Sequence, residues 1–332
     1  QVVSCLLSLK VEDETSEGKI NDDSKNNERT DGNVYKAKKP KDLYPLYSPP
    51  KVESKNNNKP SSKSTVERKR GSLNIKSRSQ STLYIQKTPH ANNVTTMENT
   101  IKSFPTTKLC MSGNKLGYQG IDAFINKSSD SLRMLKYLDI SSNSIGPKGC
   151  QAFARALRCD KGASPSLLEY LNLSNNKMGD KSVQLLCRYI ARFTLQLKTL
   201  ILDNNLIAQR GATGLSTTMA RLKQLKHLSI KGNQIAHEGA ATLGGGLAKN
   251  KSLTYLDVSY NALGKCEDRR STHSWARGLR KHKNLLHLIF SYNLFDYEDC
   301  RILADGLSKN NILLGIHFDG NEGQINARGH II

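Results

Sequence analysis

The chain lacks the marks of several protein classes. Its seven cysteines (Cys5, Cys110, Cys150, Cys159, Cys187, Cys266 and Cys300) are odd in number, scattered, and contain no CxxC pair. That argues against a disulfide framework and against a zinc ribbon or finger. No apolar run approaches the roughly 18 residues that a membrane-spanning helix requires. The opening QVVSCLLSLKVEDE is apolar but short, has no basic lead-in, and is followed by acids, so it makes a poor signal peptide. It also lacks an initiator Met, which suggests a fragment or processed product.

Catalytic signatures are missing too. There is no GxSxG, no HExxH and no paired catalytic carboxylates. The stretch LGGGLAKN from Leu243 lacks the GxxxxGK[ST] spacing of a phosphate loop. His273, His282 and His287 lie near Cys266 and Asp268, but at spacings that fit no standard zinc pattern. The expectation is a non-enzymatic protein without metal or cofactor.

Acidic residues are in short supply relative to basic ones. Lys and Arg number 50 against 29 Asp and Glu, for a net charge of +21. Such a balance favours acidic partners such as nucleic acid, anionic membrane or acidic protein segments.

Two regions differ in composition. Residues 1–103 are rich in Lys, Asn, Ser and Glu, as in KVESKNNNKPSSKSTVERKRGS, and hold too few large apolar residues to offset the entropy of folding. A disordered N-terminal tail is expected, acidic at its start and basic from Lys36 onward. Two islands interrupt it: DLYPLYSPPKV, and STLYIQK, which alternates like a strand. Either suits a linear docking motif that orders on binding. Ser48, Ser72 and Thr88 lie in contexts suited to proline-directed or basophilic kinases. Phosphate there would cut the tail's positive charge.

Residues 104–332 are periodic. Asn recurs at 114, 143, 176, 205, 233, 261, 293 and 321, with spacings of 28 to 33 residues. Around each Asn the chain reads LxxLxLxxNxI, as in LKYLDISSNSIG from Leu135 and LEYLNLSNNKMG from Leu168. Alternate apolar residues such as Leu138 and Ile140 point to one side of a short strand. The Asn amide can satisfy backbone groups where the chain leaves the strand. A helical segment follows, with apolar residues at Cys150, Phe153 and Leu157 in one repeat and Val183, Leu186 and Ile190 in the next. Cys150 and Cys300 share that register and read as reduced core residues.

No repeat can bury its apolar face alone, but stacked neighbours can. These eight phased copies resemble the ribonuclease-inhibitor-type leucine-rich repeat family. The resemblance implies an α/β leucine-rich repeat solenoid, a horseshoe with a parallel sheet on the concave side and helices outside, preceded by the disordered basic tail. It further implies a protein partner held on the concave face or rims; one relative of that type supports catalysis by a partner GTPase. The second and sixth copies depart from the pattern with the insertions RCDKGASPS and GKCEDRRSTHSW, and the last stops before its helix is complete. The protein is therefore expected to continue beyond Ile332, and the stretch up to Ile332 to expose an apolar end face or pair it with something else.

The repeat register also places side chains. Outward strand positions carry Tyr137, Asp139, Tyr170, Asp203, His227, Tyr255, Asp257, Tyr260, His287 and Tyr292, a mild, aromatic and slightly acidic surface. Tyr137 should lie beside Tyr170, Tyr255 beside His287, and Tyr260 beside Tyr292. Cations fall on the helices and outer loops, most densely at Arg269, Arg270, Arg277, Arg280, Lys281 and Lys283. The leading expectation is an intracellular scaffold, cytoplasmic or cytoskeletal, monomeric or part of a larger assembly, that binds a protein on the concave face with the tail as a second contact. The alternative is a binder of an acidic polymer, RNA or the acidic tails of cytoskeletal filaments, through the tail and the basic helices. GTPase activation is a third reading.

Overall fold

In the computed structural model of this protein, the described residues are 75–79, 82–85, 107–158, 166–264, 267–326 and 331–332. The three proposed phosphorylation sites, and Cys5, Cys159 and Cys266, lie outside them.

The strands fix the placement of everything else. A hairpin, β1 (Ile75–Ser79) and β2 (Thr82–Ile85), precedes β3 (Lys108–Cys110). Strand and helix then alternate: α1 (Gly117–Met134), β4 (Tyr137–Asp139), α2 (Gly146–Ala156), β5 (Tyr170–Asn172), α3 (Asp180–Phe193), β6 (Thr199–Ile201) and α4 (Gln209–Arg221). The series continues with β7 (His227–Ser229), α5 (His237–Lys249), β8 (Tyr255–Asp257), α6 (Arg270–Lys281), β9 (His287–Ile289), α7 (Tyr297–Ser308) and β10 (Gly315–His317). The ten strands form one sheet in chain order, with β1 and β2 antiparallel and every later neighbour parallel. Pairing is in register from repeat to repeat, so Leu109, Leu138, Leu171, Leu200, Leu228, Leu256 and Leu288 stack as one row. Each is at most 1% exposed, so the row is a continuous spine of the core.

The hairpin lies inside the segment 1–103 assigned to the tail. The alternation in STLYIQK accounts for β2: Leu83 is buried, and β2 pairs with β3 across Leu83 and Leu109. The hairpin gives the first repeat a neighbour, and an end repeat otherwise has none on that side.

The helices pack on the opposite side from the outward strand residues. Cys150, Val183, Ala212, Ala240 and Cys300 occupy one buried register. Burial pushes the Cys187 thiol up to about 12 and the Cys300 thiol up to about 11, so both stay neutral packing groups. The glycines of LGGGLAKN belong to this helix layer. A Cβ on Gly244 would sit 2.7 Å from the backbone nitrogen of Trp275, so α5 and α6 approach too closely there for any side chain.

Two ladders of side chains stitch the repeats together. At the exit of each strand, the consensus Asn is buried. The Asn143 amide nitrogen donates to the carbonyls of Ile140 in its own repeat and Met111 in the one before, at 2.9 and 2.8 Å. Its backbone N–H donates to Asn176 Oδ1 of the repeat after, at 3.0 Å. Asn176 repeats this with Asn205, and Asn205 with Asn233. The run is interrupted after the sixth repeat, where the insertion follows Asn261: the buried Oδ1 of Asn293 has no hydrogen-bond donor among the described residues. At the opposite edge, where helix returns to strand, Asn250, His282 and Asn310 form a second set. Asn250 Oδ1 accepts from the N–H of Ser252 and Leu253, and His282 Nδ1 does the same for Asn284 and Leu285. Asn310 Oδ1 does so for Ile312 and Leu313. Burial drops the His282 pKa to about 4, so its ring is neutral and Nε2 can donate to Asn250 Oδ1 at 3.2 Å.

After β10 no helix forms among the described residues. Gln324 and Ile332 exchange backbone hydrogen bonds, Ile325 bridges Ile331, and Ile331 is buried in the core cluster. The core also holds an aromatic group in which Phe290 meets Trp275 edge-on at 5.1 Å and Phe295 stacks on Phe318 at 5.7 Å. Leu314, just before β10, remains 53% exposed.

Removing an Asn from the first ladder strands several buried donors and acceptors at once, so Asn176→Ala should lower unfolding stability by about 2 to 4 kcal/mol. Asn293→Ala should cost about 1 kcal/mol less, because its Oδ1 holds nothing. Urea unfolding of the two variants measures the difference, and equal losses would contradict the interruption.

Candidate functional site

The outward face of the sheet is built by the same register that builds the core. Side chains alternate along each three-residue strand, so one inward Leu is flanked by two outward residues. In parallel in-register strands those outward residues form columns.

The first column carries rings. Tyr137 and Tyr170 stack at 4.1 Å between centroids, with planes 8° apart. His227 and Tyr255 stack in the same way at 4.1 Å and 6°. Tyr255 and His287 are register partners, as expected, but the ring that stacks on Tyr255 is His227. His287 leans instead toward the next strand, where the Cβ of any residue replacing Gly315 would lie 3.0 Å from its Nδ1. Burial lowers the His227 pKa to about 4, leaving a neutral imidazole against the phenol. Burial, and then Tyr170, raise the Tyr137 pKa, so that phenol also stays protonated.

The acids of this face are engaged. Asp139 Oδ1 accepts from the N–H and hydroxyl of Ser141, and its Oδ2 from Asn172 Nδ2. Asp257 is nearly buried and accepts from the N–H and hydroxyl of Ser259. Asp203 Oδ1 accepts from Ser229 Oγ at 2.6 Å and from the Lys231 N–H at 3.0 Å. Even so, burial raises the Asp203 pKa to about 6, with nearby Asp257 adding to the rise. These carboxylates hold the strand exits in shape more than they present charge.

The strand exits hold the feature that the sequence pattern does not reveal. The residue just before each consensus Asn adopts a left-handed backbone, with φ between 54° and 73° at Gly113, Ser142, Asn175, Asn204, Gly232, Tyr260, Tyr292 and Gly320. Gly, Asn and Ser suit such a position; a bulky residue there costs on the order of 1 to 2 kcal/mol. Tyr260 and Tyr292 are the exceptions. Their rings stack at 4.4 Å, and they remain 41% and 45% exposed. The Lys231 ammonium lies 5.0 Å from the Tyr260 centroid, a cation–π distance. The Tyr292 ring covers Gly320, where an added Cβ would lie 2.3 Å from the ring. Leu294, two residues on, is also left-handed and 55% exposed.

The six-residue basic cluster does not survive as one patch. Arg269 and Arg270 lie at the start of α6, and Arg280 and Lys281 at its end, about 15 Å away along the axis. Arg269 forms a fork with Asp296 at 2.7 and 2.8 Å and reaches buried Asp299 at 2.9 Å. Arg270 pairs with Glu238 and Asp268, and Arg280 with Asp305. Arg277, Lys281 and Lys283 are exposed. Arg269 is a clamp across the insertion: it holds the Asp296 carboxyl below the usual range, while burial raises that of Asp299.

A family profile described as "Leucine Rich repeat" matches residues 131–154, 164–187, 223–244 and 249–265. These are leucine-rich repeats. With a helix after each of β3–β9, they form the α/β solenoid that the resemblance to the ribonuclease-inhibitor type implies. No curated protein matches the chain. Among solved structures, the tropomodulin C-terminal domain of Caenorhabditis elegans is similar at 16% identity and a TM-score of 0.37, covering 49% of this chain and 91% of that one. A structure titled "Leiomodin-1 Actin-Binding Site 2 (ABS2)" is similar at 17% identity and a TM-score of 0.32, covering 39% and 72%. Among the described residues of this leucine-rich repeat chain, no helix is long and apolar enough to cross a membrane.

The raised Asp203 pKa has a signed consequence. The folded state holds that proton more tightly than the unfolded chain does, so stability falls as pH rises from roughly 4 to 6. Asp203→Asn, which keeps an acceptor for Ser229 and Lys231, should therefore stabilise the fold at pH 7.5 by about 1 to 3 kcal/mol. The gain should shrink to about 0.5 kcal/mol at pH 4, where the folded carboxyl is protonated and the unfolded one is about half protonated. Paired denaturation curves at the two pH values test this, and a gain that is equal at both would refute it.

Proposed function

We propose that this chain is a non-enzymatic scaffold that binds a protein partner on the outward face of its sheet, anchored at the Tyr260–Tyr292 pair. The observation that carries the reading is the placement of two stacked, exposed tyrosines in left-handed backbone. Six of the eight repeats use Gly, Asn or Ser at that position, so the fold has no need of the rings. Strain that persists at an exposed site points to use of the side chain. Tyrosine buries a large area at low entropic cost and keeps a polar tip, which suits a binding anchor. Leu294 extends the apolar contact, and the stacked Tyr137–Tyr170 and His227–Tyr255 pairs continue it across the sheet.

Competing stabilisation is small by comparison. Cross-strand aromatic pairs contribute roughly 0.2 to 1 kcal/mol each, which is no larger than the backbone cost of the two left-handed tyrosines. The four described cysteines are free, which agrees with a reducing, intracellular setting.

Replacing both residues with Asn relieves the backbone and removes the anchors. Tyr260→Asn/Tyr292→Asn should leave the melting temperature unchanged or slightly raised and weaken partner binding by about 1 to 2 kcal/mol per ring. Affinity capture with quantitative mass spectrometry, run on wild type and variant together, reads the loss. A variant that melts normally and retains every specific partner removes the ring face from consideration.

A further inference from the structure

The second ladder carries more than the loops. Each of its buried residues, and the buried Leu222 one repeat earlier, stands between two outward neighbours. In four consecutive repeats the triplets read Arg221-Leu222-Lys223, Lys249-Asn250-Lys251, Lys281-His282-Lys283 and Lys309-Asn310-Asn311. The centre of every triplet is at most 3% exposed, and all seven flanking cations are exposed. They therefore share one edge of the solenoid, where helices end and strands begin.

Two columns of like charge run along that edge. Arg221, Lys249, Lys281 and Lys309 fall at the ends of α4 to α7, where a cation also complements the helix dipole. Lys223 Nζ also reaches back to the Ala220 carbonyl in the last turn of α4, at 2.8 Å, whereas Lys251 and Lys283 lie beyond the helix ends and no side-chain contact of that kind is seen for them among the described residues. Among the described residues none of the seven is ion-paired. Like charges stacked in adjacent repeats repel one another, and the loops beneath them are locked by hydrogen bonds, so the cations cannot all turn away.

We propose that this edge is a docking surface for an extended acidic polypeptide segment, independent of the ring face. Adjacent repeats are spaced between the roughly 4.8 Å of paired strands and the 8 to 10 Å of packed helices. An extended chain with Asp or Glu at alternate residues presents carboxylates every ~7 Å on one side. The step of the lysines and the step of the carboxylates therefore match. One feature favours a polypeptide over a single-stranded nucleic acid: no exposed aromatic residue stands in the four triplets to stack a base.

The test uses the full chain and a fluorescent peptide of about six Glu-Ser repeats at low salt. A thymidine oligomer of equal charge serves as the second probe. The peptide should bind, and Lys223→Glu/Lys251→Glu/Lys283→Glu should weaken it about tenfold with melting unchanged. The tail is the same in both proteins, so the difference reports the edge alone. Carboxyl-to-amine coupling followed by peptide mapping should join the probe to Lys249, Lys251, Lys281 or Lys283. If the charge reversal unfolds the domain, the Lys→Gln triple replaces it, with a smaller but definite loss expected. Undiminished peptide binding by a folded triple variant, or coupling confined to lysines outside the edge, overturns the proposal. So does tighter binding of the oligomer that the same variant abolishes, which would make the edge a nucleic-acid surface.

Discussion

The structure depends on one hydrogen-bonding solution, the buried asparagine at the exit of each strand. A three-residue strand leaves its backbone groups exposed to the core as soon as the chain turns away, and buried groups of that kind must be paired. One primary amide solves this for two repeats together, because its nitrogen reaches carbonyls in its own repeat and the one before, while its oxygen receives an N–H of the one before. The row of inward Leu could pack in more than one register; the amide ladder admits one. From that register come the columns of outward residues, and from the columns come the stacked rings.

Much of this was legible in the sequence. The Asn spacing, the LxLx alternation and the helical apolar positions place nearly every core residue, including Cys150 and Cys300. The outward assignment of Tyr137, Tyr170, Tyr255, Tyr260 and Tyr292 follows from the same period. Energetic state was not legible. Tyr260 and Tyr292 look like ordinary members of a column until their φ angles are known, although the Gly, Asn and Ser that precede the consensus Asn in the other repeats were a signal available in the text. Charge density misled for a related reason: Arg269 to Lys283 are close in sequence but span a whole helix, and partners for Arg269 and Arg280 come from the next repeat, 25 to 30 residues away.

The second ladder shows how a repeat protein separates scaffold from surface. The buried residue of each triplet differs in chemistry, amide, imidazole or Leu, yet it fixes its two neighbours outward in every case. The period that a reader looks for is the period of the apolar residues, so a polar plug that changes identity between repeats escapes notice. The flanking cations were visible but unplaced until the plug gave them a direction.

The interruption after Asn261 gives the solenoid an unequal seam. In a stack of repeats, cohesion is a sum of nearest-neighbour contacts, and separation begins at the poorest of them. Between the sixth and seventh repeats a neutral amide link is missing, and the Arg269 fork to Asp296 and Asp299 crosses the same boundary in its place. An ion pair responds to ionic strength and acidity in a way that an amide does not. The two terminal repeats are therefore fastened by a joint in which an ion pair stands where an amide link is missing, so the surrounding electrolyte can loosen its grip, and fraying from that end would stop or start there.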